Sequence, residues 1–68
     1  MKKVLIIEGL KCGHCSSRLE KVLNNVEGIK ASVVLEEKKA YLELSKEFTD
    51  EELSEIVDDA GFEVVGIE

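Results

Sequence analysis

The stretch Lys2-Lys3-Val4-Leu5-Ile6-Ile7-Glu8-Gly9-Leu10-Lys11-Cys12-Gly13-His14-Cys15 changes its structural character within a few residues, and its reading decides the fold. Lys2 to Glu8 is β-branched and aliphatic and is ended by Gly9, the pattern of a short buried strand. From Cys15 the apolar positions are Cys15, Leu19, Val22, Leu23 and Val26, one stripe of an amphipathic helix that stops near Gly28. The junction between strand and helix therefore carries both cysteines of the chain. Working outward, Ile29 to Leu35 and Lys39 to Leu44 are strand-like runs on either side of Glu36, Glu37 and Lys38, close enough to pair as an antiparallel hairpin. Ala40, Leu42 and Leu44 alternate with Tyr41 and Glu43, which gives the second run one buried face.

Thr49 with Glu52 three residues later is a capping box, and Phe48 before it can staple onto Leu53, so a helix is predicted to start at 49/50. Leu53, Ile56, Val57 and Ala60 form its buried stripe, and Asp50, Glu51 and Glu52 in the first turn suit the helix dipole. Gly61 ends it. Phe62, Val64 and Gly66 then alternate with Glu63, Val65 and Ile67 in a last strand. The order βαββαβ predicts an α+β, ferredoxin-like fold, one four-stranded antiparallel sheet with both helices on one face. Right-handed crossovers would bring the cysteine loop and the turn before Phe62 to the same end of the molecule.

With 68 residues and no Pro, the chain reads as one domain over residues 1–68, its core too thin to enclose a deep cavity. Function is expected at the surface. The four apolar residues Val4 to Ile7 are too few for a secretory signal, and no run approaches a membrane span, so a cytoplasmic protein without membrane insertion is expected. The net charge is −6, split into +3 over residues 1–34 and −9 over residues 35–68. Such a field opposes nucleic-acid binding, whereas the basic residues Lys11, Arg18 and Lys21 could meet an acidic partner face.

Two residues between Cys12 and Cys15 let both sulfurs face one ion, with Gly13 allowing the loop to curl. Thiolates select soft ions such as Cu(I) and Zn(II) over Mg or Ca, and the helix N-terminus and Lys11 favour negative charge on sulfur. A closed structural zinc site wants four Cys or His ligands. Even with His14 the set is short, and an open two-thiolate site suits Cu(I) and its onward transfer. His14 stands either as a third ligand or as a solvent-facing residue that tunes charge, and Phe62 either as a core aromatic or as a shield over the ion. The other class of function for two such cysteines is a thiol-disulfide redox protein, but thioredoxin-like enzymes are larger and place a Pro near the sulfurs.

The segment Gly9-Leu10-Lys11-Cys12-Gly13-His14-Cys15, followed by Arg18-Leu19-Glu20 and, near the end, by Asp59-Ala60-Gly61-Phe62, resembles the heavy-metal-associated domain family, and within it the bacterial copper chaperones. That resemblance covers nearly the whole chain. It implies Cu(I) held by Cys12 and Cys15, no enzymatic activity, delivery to a copper-transporting P-type ATPase or a copper-responsive regulator, and a metal-induced homodimer; Zn, Hg, Ag and Cd are the other soft ions to consider. Two positions depart from the family's habit: Leu10 stands where Met is usual, and Phe62 where bacterial chaperones more often have Tyr. Zinc-pump relatives place Asp directly before the first cysteine, and Lys11 there favours copper.

Overall fold

The structure, a computed structural model, describes residues 1–11 and 13–68. Its elements are β1 (Lys2–Glu8), α1 (Gly13–Asn24), β2 (Ile29–Val34), β3 (Lys39–Leu44), α2 (Asp50–Asp59) and β4 (Glu63–Ile67). The strands form one antiparallel sheet in the order β2-β3-β1-β4, the expected ferredoxin-like arrangement. β1 and β3 are central and supply Leu5, Ile7, Ala40, Leu42 and Leu44 to the core; α1 closes it with Leu19 and Leu23, and α2 with Leu53 and Val57. α1 lies against β2 and α2 against β4. Among the described residues, no helix is long and apolar enough to cross a membrane.

The capping box at α2 forms as its sequence requires: Glu52 N donates to Thr49 Oγ1 at 3.1 Å and Thr49 N to Glu52 Oε1 at 3.2 Å. Thr49 and Glu52 thus each satisfy the backbone N–H of the other at the start of the helix. Phe48 packs against the core cluster that holds Leu53. Lys3 Nζ reaches Asp50 Oδ1 at 2.6 Å and ties β1 to the first turn of α2.

Two sequence expectations are corrected. α1 begins at Gly13, which places Cys15 in its first turn as expected, but it ends at Asn24, short of Gly28. Its tail tightens, with Val26 N donating to Leu23 O, while the Asn24 side chain leaves the helix for β2. The second correction concerns β4. Ile6 pairs with Gly66 and Ile7 with Val64, so Val65 is an extra residue in a β-bulge. Strict alternation breaks there. Val64 and Ile67 both pack against the core, and Val65 is left 54% exposed.

In the hairpin between β2 and β3, Lys38 N donates to Leu35 O at 3.1 Å, and Lys38 adopts φ 55. An L side chain in that left-handed region costs roughly 1 to 2 kcal/mol, which a glycine avoids while adding back some unfolded-state entropy. Lys38→Gly is therefore expected to stabilise the fold by up to about 1 kcal/mol, read as a higher urea midpoint with an unchanged slope.

Candidate metal centre

The cysteine loop is held at one end of the sheet by β1 on one side and α1 on the other. β1 stops at Glu8; Gly9 turns the chain with φ +102, and Leu10 drops into the core at 3% exposure. Lys11, Gly13 and His14 are exposed. Cys12 lies outside the described residues. Cys15 sits on the first turn of α1, half-buried, and packs against the core cluster that contains Leu10 and Phe62. Ser16 Oγ donates to Gly13 O at 2.9 Å within the same turn.

Phe62 arrives at this end through the C-terminus of α2. Ala60 caps the helix and Gly61 follows with φ +93; Gly61 N donates to Asp58 O at 2.9 Å and Phe62 N to Val57 O at 3.1 Å. These are the two bonds of a Schellman motif, and its usual apolar contact is available in the buried pair Val57 and Phe62. The backbone turn thus sets the direction of the aromatic side chain. A methyl group at Gly9 would lie 3.6 Å from Phe62 Cδ1, so the ring stands directly beside the start of the cysteine loop, as the crossovers predict.

Charge is arranged unevenly around the loop. Lys11, Arg18 and Lys21 are exposed on the loop and on α1. A shallow cleft of about 470 Å³ on the other side is lined by Glu8, Gly9, Asp58, Gly61, Phe62 and Glu63. Glu8 and Glu63 are direct cross-strand partners, a like-charge pairing that costs stability. The sequence carried a signal for it, since the last residue of a first strand meets the first residue of an antiparallel neighbour. Among the described residues, no group of three or more His, Cys, Asp or Glu is arranged to hold a metal ion.

The architecture is that of a ferredoxin-like domain, and its sequence carries Cys-x-x-Cys where the first strand gives way to the first helix. Residues 4–63 match the heavy-metal-associated domain, and the chain belongs to that family. It is 32% identical over 66 residues to the copper chaperone CopZ of Staphylococcus aureus, a match that spans 94% of this chain and 97% of the relative. Among solved structures, a CopZ metallochaperone superposes with a TM-score of 0.86 at 31% identity, over 96% of this chain and all of the other. The N-terminal domain of a potential copper-translocating P-type ATPase from Bacillus subtilis, solved in its Cu(I)-loaded state, is 34% identical with a TM-score of 0.79, over 98% of this chain and 89% of the other.

The 3.6 Å spacing from Phe62 Cδ1 is an ordinary van der Waals contact, so room for a side chain does not by itself require glycine at position 9. Its backbone does, because φ +102 is costly for an L residue. Gly9→Ala is expected to destabilise by about 1 to 3 kcal/mol in urea unfolding, and a cost near zero would show that the turn relaxes.

Proposed function

We propose that this protein is a carrier that holds one Cu(I) ion between the Cys12 and Cys15 thiolates and passes it to a partner by ligand exchange. The observation that carries this reading is the end-to-end match with a relative named a copper chaperone, joined to the setting of Cys15 on the first turn of α1. The backbone N–H groups and dipole at a helix's first turn attract negative charge, which suits the anionic ligand pair of this reading. Leu10 and Phe62 give the loop an apolar floor, and such surroundings suit a soft ion of low coordination number better than a hydrated hard one.

Transfer needs no redox change. An incoming partner thiolate adds to Cu(I), one of the two cysteine sulfurs departs, and a second exchange completes the handover, so no bond in an organic substrate is made or broken. A soluble copper-binding domain of a P-type ATPase is a fitting recipient, since a pump domain of this kind shares the fold and a third of the sequence. Lys11, Arg18 and Lys21 flank the loop and fit a recipient with an acidic face.

The decisive measurement is an anaerobic titration of the reduced protein with Cu(I) against a chromogenic chelator, alongside Zn(II), Hg(II) and the Cys12→Ser/Cys15→Ser variant. One Cu(I) retained per chain, poor competition by zinc and loss of retention in the variant are expected. Equal retention by the variant, or preference for Zn(II), would overturn the copper reading. For docking, Lys11→Glu/Arg18→Glu is expected to slow copper transfer to an acidic recipient domain by roughly tenfold or more at low ionic strength. The difference should shrink as salt is added, and Arg18→Glu alone should slow transfer in the same salt-dependent way while leaving the chelator titration unchanged.

A further inference from the structure

β2 is an edge strand, six residues long, rich in β-branched side chains and with Lys30 as its single charge. Such a strand offers a template for pairing with another chain. Its outward N–H groups are nevertheless occupied. Along an antiparallel strand every second residue turns its N–H and C=O away from the neighbour, and here these are Ile29, Ala31 and Val33. Ile29 N donates to Val26 O at 3.1 Å. Ala31 N donates to Asn24 Oδ1 at 2.8 Å, and Asn24 Nδ2 returns a bond to Ala31 O at 3.1 Å while also reaching Glu20 O at 2.9 Å. Val33 N points to Glu20 Oε2 at 3.4 Å. The Asn24 amide thereby exchanges two bonds with Ala31, as a residue of an adjoining strand would.

The opposite edge has other protection. β4 is broken by the bulge at Val65 and bounded by Glu63 and Glu68, features that discourage strand addition. β2 has neither a bulge nor acidic ends.

We propose that Asn24 and Glu20 form a lock that closes the β2 edge against antiparallel pairing with β2 of a second copy. The lock sits on the helix that carries Cys15 but acts without metal, so it separates strand-mediated association from any association through the cysteine loop.

The test compares Asn24→Ala/Glu20→Ala and Asn24→Ala with Asn25→Ala as control, all reduced and in excess chelator so that no metal bridges two chains. Sedimentation velocity over a wide concentration range reads association, and amide hydrogen exchange reads Ala31 and Val33. The double variant is expected to form dimers as concentration rises, because β2 pairing with β2 closes on itself, with the Ala31 amide exchanging roughly tenfold faster or more in dilute monomer. The control should remain monomeric. A double variant that is folded by circular dichroism and monomeric throughout overturns the proposal. If it does not fold, the Asn24→Ala single variant decides by the same criterion.

Discussion

Leu5 and Ile7 of β1 are at most 1% exposed in the core cluster that Leu19 and Leu23 of α1 and Leu53 and Val57 of α2 complete; the position of nearly everything else follows from that contact. β1 pairs on both sides, with β3 and β4, so burying its inner face fixes the register of three strands at once. A one-residue slip would turn Leu5 and Ile7 to solvent and bring Val4, Ile6 and Glu8 inward. In a domain this small, where about 40% of the unfolded chain's surface stays exposed after folding, there is no second core to absorb such an error. The cysteine loop inherits this precision because it leaves β1 immediately after the last paired residue.

The same contact explains how a small domain can keep its chemistry at the surface and still hold it in place. Leu10 and Cys15 pack against the core from either side of the cysteine loop, and Phe62 arrives from the far end of the chain through the turn that closes α2. Two parts of the chain far apart in sequence thus meet at one end of the sheet, and the Phe62 side is fixed by the backbone bonds of the turn that closes α2. The loop's exposed residues, Lys11, Gly13 and His14, remain accessible to a partner. Around them the charge changes sign, from Lys11, Arg18 and Lys21 on one side to Glu8, Asp58 and Glu63 on the other. A recipient would therefore be met in a preferred orientation as well as at a preferred place.

The polar side chains that shape the molecule fall into two groups. Thr49 and Glu52 act on the helix they begin, and their bonds follow from a spacing of three residues. Asn24 and Glu20 act on a strand seven to thirteen residues away, and nothing in the spacing of an Asn and a Glu on a helix surface announces it. Tyr41 belongs with the local group: its hydroxyl donates to Glu37 on the adjoining turn, and that bond to a carboxylate is the main reason its phenol titrates above its ordinary value.

The sequence by itself determined the order of elements, the buried faces of α1, β3 and α2, the capping box, the glycine after α2 and the candidate ligands Cys12 and Cys15. All of these are written in local periodicity, capping chemistry and spacing, which act over a few residues. Only the tertiary structure decided the bulge at Val65, which turns Ile67 to the core against simple alternation, because it arises from fitting β4 to a strand nearly sixty residues earlier. It also decided where α1 ends, since Asn24 gains its partners from β2, and it set Phe62 beside Gly9. Each of these depends on which distant backbone group happens to be within a few ångströms, and that distance exists only once the core has closed.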